Sequence, residues 1–83
     1  MKINVCQEHI NRGERKRCDR CPIALAVKDK LESKDINVNA MGIFVGLYCQ
    51  FKWHLPKSAQ KFIKRFDAGG HVKPFTFEAR RIK

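Results

Sequence analysis

The sequence is short of acid and lacks any long apolar run. Eight Asp and Glu stand against 18 Lys and Arg, a formal net charge of +10 on 83 residues. The longest apolar-rich stretch, Met41 to Cys49, falls well below the roughly 20 residues that a membrane span needs. The opening Met1-Lys2-Ile3-Asn4-Val5-Cys6-Gln7-Glu8-His9 is polar where a secretory signal needs an apolar core. A cytoplasmic protein with no membrane association is therefore expected. In that compartment the four cysteines are read first as ligands, core residues or reactive thiols, and only then as disulfides. Paired carboxylates, a phosphate-binding loop and a nucleophile constellation are also missing, so no enzyme is expected. Neither a helix-turn-helix signature, a C2H2 finger nor an RRM aromatic motif is present, which argues against sequence-specific nucleic-acid readout.

What remains is a composition that folds. The chain is 43% hydrophobic and carries six Phe, one Tyr and one Trp, too much apolar material for a disordered segment. Residues 1–83 are expected to form a single domain. A domain of this size buries only about 60% of its unfolded surface. It often gains stability from a metal or a partner.

Alternation at Ile3 and Val5 predicts a short strand over Lys2–Cys6. One helical turn over Gln7–Asn11 follows, then a basic loop over 12–20. Cys21-Pro22 opens a helix, with proline at a position where its missing N–H is no loss. Ile23, Val27 and Leu31 give that helix a buried stripe, with Ala24 beside them. From Ile36 to Leu55 the period is two, and Ile43, Val45, Leu47, Cys49, Phe51, Trp53 and Leu55 all fall on odd positions. The pattern predicts a hairpin around Ala40–Gly42 and a bend or bulge near Gly46, or else three strands with a second turn at Gly46–Tyr48. Cys49 then reads as core. Phe44, Tyr48 and His54 fall on the opposite face, as a stacking or protein-contact surface. Pro56 starts a second helix with Ala59, Phe62, Ile63 and Phe66 on one face, stopped by Gly69-Gly70. Pro74–Ile82 is a last strand with Phe75, Phe77 and Ala79 inward. The predicted fold is α+β: a small, mainly antiparallel sheet with two helices on one face, order β-α-β-β-α-β with room for one extra strand.

Cys6-x2-His9 and Cys18-x2-Cys21 have the spacing of two ligand pairs. Together Cys6, His9, Cys18 and Cys21 could complete a structural Cys3His zinc site and staple the basic loop. The competing reading makes Cys21 a small core residue and His9 a surface or capping residue. A third reading makes Cys21 a reactive thiol, since a helix start and the adjacent Arg20 both favour the thiolate, with His9 as its base.

The positive charge is uneven. Residues 1–20 carry six Lys and Arg with three acids, residues 21–35 three of each, residues 36–55 only Lys52, and residues 56–83 eight with two acids. Arg12, Arg15, Lys16, Arg17, Lys57, Lys61, Lys64 and Arg65 are the candidate binding surface for an acidic partner or for phosphate. Arg80, Arg81 and Lys83 extend it as a mobile tail over 80–83. If one surface binds, the loop, the second helix and the tail should meet there.

Several short motifs run along the chain: His9-Ile10-x-x-Gly13, Cys21-Pro22-Ile23-Ala24-Leu25-Ala26, Leu55-Pro56, Phe62-Ile63-x-x-Phe66-Asp67-x-Gly69 and Pro74-Phe75-x-Phe77. Over nearly its whole length the chain resembles a family of small bacteriophage and prophage proteins that carries no assigned activity. The resemblance implies a bacterial cytoplasm. It also implies motif positions for His9 and Cys21 but not for Cys6 or Cys18, with His9 and Cys21 sharing a hydrogen bond at the helix start. The leading expectation is a non-enzymatic protein that binds an acidic host protein and modulates it. The alternatives are a weakly specific nucleic-acid-binding module, zinc-stapled or not, and an oligomeric assembly protein.

Overall fold

A computed structural model describes residues 1–82; residue 83 lies outside the described residues, and with it the last position of the expected tail. In chain order the elements are β1 (Lys2–Val5), α1 (Gln7–Arg12), α2 (Pro22–Leu31), β2 (Ile36–Val38), β3 (Gly42–Val45), β4 (Gln50–His54), α3 (Lys57–Asp67), β5 (Phe75–Glu78) and β6 (Arg80–Arg81). This is an α+β fold with three helices and two antiparallel sheets, one of order β1-β5 and one of order β2-β3-β4-β6. The expected order is recovered with three additions. The turn at Gln7 becomes a helix of its own, the long alternating segment splits into β3 and β4 as the three-strand alternative has it, and the final strand is divided.

That division comes from one strand serving two sheets. Phe77 pairs with Ile3, while two residues beyond Ala79 Arg81 pairs with Trp53. Backbone hydrogen bonds hold both sides of the crossover: the Ala79 N–H donates to the Met1 carbonyl at 2.7 Å, and the Ile82 N–H donates to the Lys52 carbonyl at 3.0 Å. Arg80 and Arg81 are thus paired strand residues and not a loose tail. The Arg81 guanidinium lies over the Trp53 ring, 4.9 Å from its centroid, close enough for cation–π attraction.

One hydrophobic cluster joins every layer. Ile3 and Val5 of β1, Ile23, Ala24 and Val27 of α2, Ile36 and Val38 of β2, Ile43 of β3 and Phe77 of β5 are all buried in it. The α3 face of Ala59, Phe62 and Phe66 closes the same cluster, and Phe62 stacks on Phe75 with centroids 4.7 Å apart. At the end of α3 the Gly70 N–H bonds to the Arg65 carbonyl and the Gly69 N–H to the Phe66 carbonyl. That bonding pattern needs a left-handed residue after the helix cap, and Gly69 supplies it at φ +84°.

The alternation over 43–55 misleads in the middle. Gly46 to Cys49 is a turn, closed by the Cys49 N–H on the Gly46 carbonyl at 3.1 Å. Leu47 and Tyr48 at its tip are 83% and 90% exposed, and Cys49 is exposed rather than core. Beyond the turn the register slips: Ile43 faces Trp53, yet Phe44 faces Phe51, leaving Lys52 unpaired in a bulge. A one-residue slip exchanges the faces of a strand. Phe51 therefore leaves the inward set and stacks on Phe44 at 4.9 Å, with His54 edge-on at 5.0 Å. Phe44 and His54 do share the face opposite the core, as expected, but Tyr48 stands apart on the turn.

Candidate functional site

The 14–20 loop is anchored at several places, including the Asp19 carbonyl, which accepts from the Lys28 ammonium of α2 at 2.6 Å. Gly13 comes so close to Pro22 that a Cβ there would meet the proline ring at 2.6 Å, which locks the end of α1 against the start of α2. The Val38 N–H donates to the Cys18 carbonyl at 2.7 Å, fastening the loop along β2. The Lys16 N–H donates to a carboxylate oxygen of Asp67 at 2.9 Å, fastening it to the last turn of α3.

Between these anchors lies an open cleft of about 650 Å³. Its volume is in the range of small-ligand and peptide side-chain pockets. Lys16 and Arg17 form one wall, and Lys57, Lys61 and Lys64 of α3 form the other. The floor is apolar: Cys21, Val38, Ala40 and Ile63. Ile63 lies at an apolar helical position but is only partly buried, because it faces this cleft.

The candidate cations divide by what they touch. Arg12 pairs with Glu8 at 3.1 Å, and Arg17 reaches Asp19 at 3.5 Å and Glu14 at 4.0 Å. Arg20 also pairs with Glu14, at 3.1 Å. Lys16, Lys57, Lys61 and Lys64 make no salt bridge among the described residues. Arg15 lies near Gly69, and Arg65 lines a second groove with His71, Val72 and Phe75. Arg80 lines a third groove with His54, Leu55 and Pro56. The 16–17 part of the loop and α3 therefore meet at the cleft, whereas Arg12, Arg15, Arg65, Arg80 and Arg81 do not line it.

The four residues with zinc-ligand spacing are engaged separately. The Cys6 N–H donates to His9 Nδ1 at 3.1 Å, and the Cys6 Sγ lies 3.3 Å from the same nitrogen. His9 Nε2 lies 2.7 Å from a carboxylate oxygen of Asp29, in α2. Cys18 Sγ donates to the Asn37 side-chain oxygen at 3.2 Å. Cys21 Sγ accepts from the Ala24 N–H at 3.3 Å and so caps α2. Among the described residues no group of three or more His, Cys, Asp or Glu is arranged to hold a metal ion.

Cys21 is not the activated thiol its sequence position suggests. Burial pushes it up to about 11, and the hydrogen bonds from the Ala24 and Ile23 amides only partly oppose that. Nor does His9 bond to it. His9 turns to Cys6 on one side and Asp29 on the other. The Cys-x2-His spacing marked two of those three residues, while Asp29 sits in an ordinary mixed-charge helix face with no signal of its own.

No family model matches the chain, and no curated protein or solved structure does either. Among the described residues no helix is long and apolar enough to cross a membrane.

Proposed function

We propose that the protein is a non-enzymatic binding module that takes an acidic protein surface into the cleft between the 16–18 loop and α3. The observation that carries this reading is the combination of five cations on two walls with an apolar floor. A phosphate backbone would use the cations and leave Val38, Ala40 and Ile63 without a partner. An acidic peptide or protein face brings carboxylates to the rim and an apolar side chain to the floor. Such an arrangement speeds encounter through charge and gains affinity through desolvated apolar contact. The resemblance to small phage proteins supports a bacterial host protein as the proposed partner, whose activity the bound module would modulate.

A direct test is capture from nuclease-treated bacterial lysate, run in parallel with wild type and a Lys57→Glu/Lys61→Glu/Lys64→Glu variant. A stoichiometric acidic protein held by the first and lost by the second is the expected result. Duplex and single-stranded DNA are titrated at two salt concentrations beside it. Nucleic-acid binding tighter than that of any captured protein, with a steep salt slope, would replace this reading with the nucleic-acid one.

A further inference from the structure

Outside the cleft, the densest chemistry in the molecule is the line Cys6–His9–Asp29. We propose that Cys6 is a thiol modification site, with His9 as its proton acceptor and Asp29 behind the ring, and that its substrates are low-molecular-weight disulfides.

The geometry assigns each part. A ring nitrogen that receives a backbone N–H must present its lone pair. His9 Nδ1 receives the Cys6 N–H at 3.1 Å, so the ring hydrogen resides on Nε2 and is donated to Asp29 at 2.7 Å. This is the tautomer a general base requires. The same nitrogen lies 3.3 Å from Sγ, so it can take the thiol proton when the backbone N–H gives way, and a carboxylate stabilises the charge that forms on the imidazole. A helix cap alone needs only the Nδ1 bond. The carboxylate comes from another helix, twenty residues further along the chain. His9 is buried and so fixed in place, while Cys6 is exposed and reachable. The other charged pair on α1, Glu8 with Arg12, is closed on itself at 3.1 Å.

The exchange balances without any further reagent. His9 Nδ1 takes the Cys6 proton as Sγ attacks one sulfur of the incoming disulfide. A new S–S bond forms, the old one breaks, and its electron pair leaves with the departing sulfur. That thiolate then collects the proton from Nδ1. The net change is Cys6–SH plus RS–SR giving Cys6–S–SR plus RSH. Protonation of Nδ1 displaces the Cys6 N–H from the nitrogen. Cys6 sits at the exposed surface, where water can accept that N–H.

Cys18 and Cys49 are built-in references. Both are exposed, and both meet the neutral amide of Asn37, at 3.2 and 3.6 Å, in place of a base. The experiment treats the reduced full chain with oxidised glutathione at neutral pH and follows each cysteine by peptide mass spectrometry. Cys6 is expected to form its mixed disulfide at least about tenfold faster than Cys18 or Cys49, a modest share of what a positioned base supplies. Asp29 is exposed, so Asp29→Asn is expected to stay folded; it keeps an acceptor for Nε2–H but removes the charge. It should lower the Cys6 rate while leaving Cys18 and Cys49 unchanged, and Asp29→Glu should restore it. Equal rates at the three exposed cysteines in wild type, or a Cys6 rate indifferent to Asp29→Asn, would overturn the assignment.

Discussion

The backbone N–H of Lys16 and the side-chain carboxylate of Asp67 are joined at 2.9 Å across 51 residues of sequence. This bond sets the mouth of the cationic cleft, because it holds the 16–18 wall against the end of the α3 wall. Replacing Asp67 by Ala frees the loop on that side. An exposed hydrogen bond of this kind contributes about 0.5–1 kcal/mol, so global stability should change little. Amide exchange over residues 14–20 should rise clearly, and affinity for an acidic partner should fall even though a negative charge has been removed from the cleft. Affinity that rises would mean the cations act as a diffuse field and the cleft shape is irrelevant.

Gly13 governs the other end of the same loop. A methyl group there would sit 2.6 Å from Cδ of Pro22, and Pro22 is itself fully buried. Gly13→Ala is therefore expected to cost about 1–3 kcal/mol, the range for overpacking a tight contact. Urea denaturation followed by Trp53 fluorescence measures it. Trp53 reports well because it is nearly buried and lies beneath Arg81.

Cys21 gives the folded state a pH dependence with a definite sign. Its thiol lies near 9.0 when unperturbed and is pushed up to about 11 by burial in the fold. Between about pH 9 and pH 11 the unfolded chain has lost this proton and the folded chain still holds it. Stability therefore falls as pH rises through that window, by the linkage between proton binding and folding. Below pH 9 the thiol is neutral in both states and contributes no slope. Cys21→Ala should flatten the dependence between pH 9 and 11 relative to wild type. A slope identical in the two proteins would show that other groups cause it.

Zinc makes a separate prediction. Both His9 nitrogens are hydrogen-bonded, and Cys21 Sγ caps α2 from a buried position. The fold as described meets these needs within the chain. Circular dichroism and native mass are expected to be unchanged by a strong chelator, with sub-stoichiometric zinc in the purified protein. Loss of helix on chelation, reversed by added zinc, would instead restore the Cys3His site over Cys6, His9, Cys18 and Cys21.

Much of the fold was readable where one period governed a whole element. Ile23, Val27 and the Ala59–Phe66 face fell where helical spacing put them, and Phe77 and Ala79 fell where alternation did. In the segment 43–55 the three-strand alternative with a turn at Gly46–Tyr48 was right, and the single long strand was wrong for two local reasons. Leu47 and Cys49 keep the odd-position pattern through what is in fact a turn, with Cys49 at φ +49°, a conformation its residue type does not announce. The bulge at Lys52 then moved Phe51 to the other face, and a bulge leaves no mark in an alternating sequence. In the site, the charges were visible but their meeting was not. It depends on Lys16 reaching the Asp67 carboxylate and Val38 reaching the Cys18 carbonyl, single hydrogen bonds between remote segments. Cys6 and His9 were marked by spacing, yet their partner Asp29 is one acid among the mixed charges of α2.

The shared strand over Phe75–Arg81 has a consequence for how the chain is made. It is the hydrogen-bonding neighbour of both β1 and β4, so each of those strands keeps an open edge until residues 75–81 have emerged from the ribosome. Pairing of such sequence-distant segments is slow to nucleate. Until that strand is made, the nascent protein carries two adhesive edges uncovered. A chain stopped before Phe75 should be an aggregating species rather than a smaller working one.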